Sequence, residues 1–248
     1  MRFTDKVVLI IGGNSGIGLA AARLFAAEGG KLVITGRDPK TLAGAVEDTG
    51  ALGVRCDVAD LATLDDCMAR VRDAYGRIDV LFVNAGIGAF APVREITPQL
   101  WDEIHTVNLK GCFFAAQKAL PLMSRGGSIV VTGSVGAEAA VPGNAVYAAS
   151  KAGLRAATRI LGVELLPDGI RVNMVSPGPT ETPIINRNID MPPEAVDALR
   201  QIMINAVPMK RMGEAYEIAR AVLFLASEEA SFINGVDLLV DGGCMELS

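Results

Sequence analysis

The chain has 248 residues, half of them hydrophobic, which suffices for one full-sized core and a single domain over 1–248. A net charge of -5 and a pI near 5.0 give no electrostatic basis for binding nucleic acid or an anionic membrane. The only histidine, His105, makes a Cys/His zinc site improbable and excludes a Ser-His-Asp triad unless it serves one itself; no metal is expected.

In chain order, the first expected strand is Val7–Ile11, an apolar run too short for a signal-peptide core. A glycine loop follows, then a helix over 17–28 and strands at 32–35 and 54–56. Next come a helix at Leu61–Tyr75, a strand at 80–83, a long helix at 98–122 and a strand at 129–132. A helix at 145–166 and a strand at 172–175 precede the one long segment outside this rhythm, 177–213. The chain closes with a helix at Ala215–Ala226 and a strand at 236–240. Most strand runs are continuously apolar, as strands buried on both faces of a parallel sheet are. Repeated strand-helix-strand units argue for a doubly wound α/β sheet. No run reaches the ~20 apolar residues of a membrane helix. Cys56, Cys67, Cys112 and Cys244 form no C-x-x-C pair. A soluble, unprocessed, cytoplasmic chain with reduced thiols is the expectation.

In an open parallel sheet, ligands bind beyond the carboxyl ends of the strands. The unusual residues fall there: Gly12-Gly13 after the first strand, Asn84-Ala85-Gly86 after the fourth, Ser134 after the fifth and Pro177-Gly178 after the sixth. Gly12, Asn14, Ser15, Gly16, Ile17 and Gly18 link the first strand to the first helix. Glycines allow a tight turn and close approach of the backbone to a ligand, and the helix start offers free N–H groups to a pyrophosphate. After the first strand of an α/β chain, such a loop favours nucleotide binding over a plain turn.

The loop spacing is G-x-x-x-G-x-G. With Asn84-Ala85-Gly86, Asn108, Ser134, Tyr147-x-x-x-Lys151 and Pro177-Gly178, the chain resembles the short-chain dehydrogenase/reductases. The resemblance runs from Lys6 to Gly243 and includes Arg211-Met212-Gly213 and Val240-Asp241-Gly242-Gly243. It implies a Rossmann-type, doubly wound parallel sheet of seven strands with helices on both faces, and an NAD(P)-dependent oxidoreductase. Ile11 and Val83 depart from the Thr and Asn that many members carry there, which bears on loop support and cofactor affinity.

The adenosine end reads separately. NAD sites place a carboxylate at the end of the second strand, whereas NADP sites replace it with room and an arginine. Here that strand runs into Gly36-Arg37-Asp38, which favours NADP(H) over NAD(H), with Arg37 forking onto a 2′-phosphate. The competing reading has Arg37 stacking on adenine and Asp38 taking the ribose. Asp57-Val58 resembles the family's adenine contact, although Asp57 also suits a helix N-cap.

Ketone reduction needs a polarised carbonyl and a proton as well as a hydride. Without zinc or a catalytic histidine, another acid is required. An unperturbed phenol is a poor acid at neutral pH. A lysine four residues on shares its helix face. At an effective dielectric of ~20, a charge ~4 Å away interacts by about 4 kcal/mol, an upper bound that favours the phenolate. The resemblance implies the remaining roles. Tyr147 is the general acid/base, and Lys151 assists it and bonds the nicotinamide ribose. Ser134 donates to the substrate oxygen, and Asn108 holds a water linking Lys151 to solvent. Taken singly, Ser134 also reads as a cap and Asn108 as a polar residue bonding its own backbone. Thr182, in the run Pro177-Gly178-Pro179-Thr180-Glu181-Thr182, resembles the position that bonds the carboxamide, with backbone from Val175 to Gly178 beside the ring; Pro177, Gly178 and Thr180 join it as candidate cofactor contacts.

Ile87, Phe90, Val135, Ala137, Val141 and Pro142 are the expected pocket neighbours. A substrate lid over 179–213 adds Ile184, Ile185, Met191, Met203 and Met209. Methionine packs adaptably, which suits a tolerant apolar pocket. Glu138 and Glu181 are the nearby charges, and neither attracts an anion. An uncharged, fairly hydrophobic ketone or secondary alcohol follows as the small-molecule substrate. The alternatives are a 3-oxoacyl thioester on acyl carrier protein, with Lys210 and Arg211 as candidate docking charges, and a non-catalytic nucleotide-sensing regulator. Such regulators usually lose the Tyr-Lys pair, which this chain keeps. Small residues on the helices at 98–122 and 145–166 permit close helix approach. The family's four-helix interface then implies a homotetramer.

Overall fold

The computed structural model describes residues 1–186 and 193–247. β1 (Val7–Ile11), β2 (Lys31–Gly36), β3 (Leu52–Arg55), β4 (Ile78–Val83), β5 (Met123–Thr132), β6 (Arg171–Pro177) and a C-terminal strand, Asp237–Val240, form one parallel sheet. A two-stranded parallel ladder pairs β7 (Thr180–Glu181) with β8 (Gly213–Glu214), so the C-terminal strand is β9. The order across the large sheet is β3-β2-β1-β4-β5-β6-β9. All seven expected strands are in it, and the doubly wound expectation holds.

Helices cover both faces. On one lie α1 (Gly16–Ala27), α2 (Pro39–Thr49) and α9 (Ala215–Ala226); on the other lie α3 (Leu61–Tyr75), α5 (Cys112–Ala119) and α6 (Ala145–Glu164). The pleat sorts the continuous apolar run of β1 between them. Leu9 and Ile11 join the core under α3, α5 and α6, while Val8 and Ile10 pack with Phe25 of α1 and Val222 of α9. β1 is apolar throughout because both of its faces are covered.

The helix ends carry local signals. α2, which hydrophobic patterning alone does not reveal, starts at an Asp38 N-cap that accepts Thr41 N–H, with Pro39 next, and stops at left-handed Gly50. α3 starts at an Asp60 N-cap that accepts Ala62 N–H and stops at left-handed Gly76. α9 opens with a Glu214–Glu217 capping box. The long helix expected at 98–122 is divided. α4 (Pro98–His105) runs into a π-helical turn, Thr106–Gly111, then α5, then a 3-10 turn at Leu120–Leu122. The segment after β6 holds α7 (Pro183–Asn186) and α8 (Pro193–Ala206).

His105 stacks on Trp101 at 4.3 Å and its Nδ1 bonds Trp101 O, so it belongs to the local structure of α4. Cys56, Cys67 and Cys112 are buried thiols in no disulfide. Among the described residues no helix is long and apolar enough to cross a membrane, and no group of His, Cys, Asp and Glu is arranged to hold a metal.

Candidate active site

Strand order reverses between β1 and β4, and the crevice opens at their carboxyl ends. On one side the backbone builds it. Gly12 N donates to Thr35 Oγ1 at 3.0 Å, Gly13 N to Thr35 O at 2.9 Å, and Asn84 Nδ2 to Gly12 O at 2.9 Å. Gly12 has φ +81, and a Cβ there would lie 2.9 Å from the backbone of Ala85. A Cβ on Gly18 would come within 2.0 Å of Gly12 O. Both positions therefore require glycine, one for conformation and approach, the other for packing beneath the loop.

Ser15 caps α1 without a side-chain bond, and no acid occupies the first turn. That helix start is left free to meet an anion. A cavity of about 520 Å³ lies in front of it. Its walls include Gly12, Asn14, Ser15, Arg37, Asp57, Val58, Asn84, Ala85 and Gly86, with Lys40 at the edge. Gly16 faces the segment after β6 instead: a Cβ there would lie 3.5 Å from Thr182. Ile17 and Gly18 pack behind the loop, Ile17 against the α1–α9 core. The cradle, its volume and its glycines fit a dinucleotide.

Asp57 Oδ1 accepts Ala59 N–H, while Asp60 caps α3, so the alternative of Asp57 as the helix cap does not apply. Arg37 is exposed, with Nη1 3.9 Å from Asp57 Oδ2. The Asp38 carboxyl is held below its usual range by the Thr41 N–H it caps. At the end of β6, Pro177 is buried. Gly178 N donates to Val240 O, and Thr180 Oγ1 donates to Gly178 O.

The other side is held by side chains. Lys151, only 3% exposed, donates from Nζ to Thr132 O at 2.9 Å and stands 6.0 Å from the Tyr147 ring centroid. Ser134 caps the short 3-10 turn Val135–Ala137 by accepting Gly136 N–H, which leaves its own hydroxyl proton free to donate. A Cβ on Gly136 would lie 3.2 Å from Ser134 Oγ and 3.3 Å from Tyr147 Cε1, so hydroxyl and ring flank one point.

Asn108 lies in the π-turn and is fully buried. It does not bond its own helix backbone. Oδ1 accepts Ile87 N–H at 2.8 Å, and Nδ2 donates to Ile87 O at 2.9 Å and Ser150 Oγ at 3.2 Å. Ser150 Oγ in turn donates to Tyr147 O. A Cβ on Gly86 would lie 3.5 Å from Asn108 Oδ1 and 3.6 Å from Lys151 Nζ, so these groups also face one point. The π-turn presents Asn108 to the loop after β4, a common use of such bulges.

Phe90 and Val141 are half-exposed, and Ala91 N donates to Gly143 O beside them. Ile87 packs deeper, against Ala89, Ile104 and Val146. Glu138 is paired with Arg155, which also reaches Asp237 at 2.9 Å. Glu181 is paired with Arg200 at 2.8 Å. Met203 is half-buried on α8 and Met209 is exposed; Met191 and the side chain of Ile185 lie outside the described residues. Sequence reasoning overlooked Thr35 and Thr132. Each is a lone hydroxyl at the end of an apolar strand, which was the available signal.

The family model for enoyl-(acyl carrier protein) reductases matches residues 11–245. A levodione reductase from Leifsonia aquatica is 38% identical, covering 98% of this chain and 95% of its own. The chain is a short-chain dehydrogenase/reductase. A 3-oxoacyl-(acyl-carrier-protein) reductase from Thermotoga maritima is also 38% identical, over 98% of this chain and 99% of its own. The crystal structure of a levodione reductase superposes with a TM-score of 0.91 at 37% identity, covering 98% of both chains. Within this short-chain dehydrogenase/reductase the two departures stand opposite each other. Ile11 and Val83 are register partners in β1 and β4, both buried in the same core. An apolar pair fills that position, and Thr35 and Asn84 anchor the glycine loop.

Proposed function

We propose that this protein interconverts an uncharged, fairly hydrophobic ketone and its secondary alcohol, using NADP(H). The observation that carries the reading is the buried Lys151 ammonium, fixed on Thr132 O beside the Tyr147 ring and facing Gly86 at the crevice floor. When bound, the nicotinamide supplies or accepts the hydride. Tyr147 gives the proton to the carbonyl oxygen, or takes it from the alcohol. Lys151 holds the ribose and keeps its ammonium beside the Tyr147 ring. Ser134 donates its free hydroxyl proton to the same oxygen. Asn108 fixes the loop after β4 and, with Lys151, faces the point where a water connects the pair to solvent.

NADP(H) is favoured because no carboxylate stands at position 36, Asp38 is committed to its cap, and Arg37 and Lys40 edge the adenosine end. An uncharged substrate is favoured because Glu138 and Glu181 are both neutralised by arginines. Residues 179–213 serve as the substrate lid. Its two ends are joined by the β7–β8 ladder, and α8 is tied to β7 through Arg200. Exposed Ile160 and Val163 on α6 and Leu166 just past its end, with Phe232 near β9, supply apolar faces for a homotetramer. The buried thiols of Cys56, Cys67 and Cys112, in no disulfide, suit the cytoplasm.

The 3-oxoacyl-(acyl-carrier-protein) reductase reading rests on the Thermotoga maritima relative. Its candidate docking charges are occupied: Arg211 forks onto Glu217, and Lys210 donates to Asn205 O.

The test is NADPH oxidation with a ketone panel, for the native protein and Tyr147→Phe. Turnover is expected to fall about 10²–10⁴-fold in the variant while NADPH still binds. Near-native activity in Tyr147→Phe sinks the mechanism, and tight cofactor binding without turnover in the native protein favours a nucleotide sensor. Arg37→Ala is expected to lower kcat/KM with NADPH more than with NADH. An unchanged preference removes Arg37 from phosphate recognition.

A further inference from the structure

The glycine loop and the end of β2 are locked together. Two bonds to Thr35, from Gly12 N and Gly13 N, hold the loop down. A Cβ on Gly13 would already lie 2.8 Å from Ile34 Cβ. The next residue, Asn14, reaches across Gly36. Its Nδ2 donates to Thr41 Oγ1 at 2.8 Å, and Thr41 is itself fixed by the Asp38 cap.

Gly36 is not among the residues with positive φ, so its backbone does not demand glycine. Space does. A Cβ on Gly36 would lie 2.4 Å from Asn14 Cγ, 2.7 Å from Nδ2 and 2.8 Å from Cβ. Turning the Asn14 amide away removes only the first two contacts. The Cβ contact persists, and the loop cannot back off without breaking its bonds to Thr35.

We propose that Asn14 and Gly36 form one specificity unit: the Asn14 side chain fills the volume in which a carboxylate at residue 36 would reach the adenosine ribose. That carboxylate is what a dinucleotide site uses to select NAD. The chain is therefore barred from NAD-type recognition by a steric lock in the glycine loop, beyond the arginine that favours the phosphate. Cofactor choice reverses only when both positions change. The inference deepens the NADP(H) reading and relies on it for the biological sense of the lock. The coupling between the two residues is measured independently of which cofactor the native protein prefers.

The experiment is equilibrium titration with NADH and with NADPH of Gly36→Asp, Asn14→Gly and both double variants, Asn14→Gly/Gly36→Asp and Asn14→Ala/Gly36→Asp. Gly36→Asp alone is expected to weaken both cofactors, by about tenfold or more. Asn14→Gly/Gly36→Asp is expected to regain NADH by about tenfold over Gly36→Asp while NADPH stays weak, because the new carboxylate repels a 2′-phosphate. Asn14→Ala/Gly36→Asp, which keeps the Cβ, is expected to stay as poor as Gly36→Asp. NADH binding by Gly36→Asp as tight as by Asn14→Gly/Gly36→Asp overturns the lock. A native protein that prefers NADH, with the coupling intact, overturns the NADP(H) reading instead. Should Asn14→Gly fail to fold, Gly36→Ala decides: its Tm is expected to fall by several degrees, and an unchanged Tm also overturns the lock.

Discussion

The two sides of the crevice are built by different means. The adenosine side is set by backbone: peptide groups of the glycine loop bond Thr35 and Asn84, and glycines admit approaches that any Cβ would block. The proposed catalytic side is set by side chains in sequence, from Lys151 to Thr132, and from Asn108 to Ile87 and Ser150, then Tyr147. A backbone-built cradle recognises what dinucleotides share and tolerates little change. A chain of side chains holds charges and protons at chosen points, and each link can be removed separately. If this contrast is right, substitutions on that side should cut turnover while leaving folding largely intact.

The largest expected effect tests that directly. Lys151→Met keeps an apolar stem of similar length in a buried position but removes the ammonium that bonds Thr132 O and stands by the Tyr147 ring. Turnover should fall about 10²–10⁴-fold, the usual loss when proton transfer is impaired. Steady-state kinetics alongside circular dichroism melting checks it. A loss of fold with no separable loss of turnover would mean that Lys151 is chiefly a core residue and would break the contrast.

What the sequence makes legible follows the same division. Strands covered on both faces leave unbroken apolar runs, and strand ends advertise themselves with glycine and hydroxyl residues. The sheet and the glycine loop are therefore readable before any coordinates. α2 escapes apolar patterning because only Leu42 and Ala45 are buried, although Asp38-Pro39 and Gly50 mark its ends. The π-turn has no local signature, and the partner of its Asn108 is Ile87, 21 residues earlier. The two-residue β7–β8 ladder is too short to show a period. Residue types at the candidate site are legible singly. Their links, such as Asn14 to Thr41, Thr132 to Asn84 and Glu138 to Arg155, join distant segments and appear only in the fold.

Asn108 sharpens the contrast because it belongs to both kinds of construction. Its side chain satisfies both backbone groups of Ile87. Asn108→Ala leaves that N–H and carbonyl without their partner, at about 1–3 kcal/mol for a buried orphaned group. Tm should fall by several degrees, and kcat should fall with it as the loop after β4 loosens. Asn108→Asp, which keeps an acceptor for Ile87 N but loses the donor to Ile87 O, should recover only part of the Tm. Full recovery would assign the effect to the Oδ1 contact alone. Urea titration and kcat for both variants separate the cases.

The smallest effect belongs to the foot of the proposed lid, where neither construction applies and an ion pair does the holding. Arg211 forks onto Glu217 with both bonds at 2.7 Å, and Glu214 N–H adds a third. The Arg211 bonds, first, and the Glu214 N–H hold the Glu217 carboxyl down to about 2. A carboxyl depressed in the folded state lends stability that is fully present above its ordinary value, near 4.5, and is lost as pH falls toward about 2. The pair is largely solvent-exposed, so screening limits the effect to about 0–1 kcal/mol. Thermal melts of the native protein and Glu217→Gln should therefore differ slightly at neutral pH, and the difference should shrink across that acid window. It should shrink also in high salt. A difference that persists unchanged at pH 2 would mean that Glu217 acts through its capping geometry, and the lid foot would then belong with the backbone-built half.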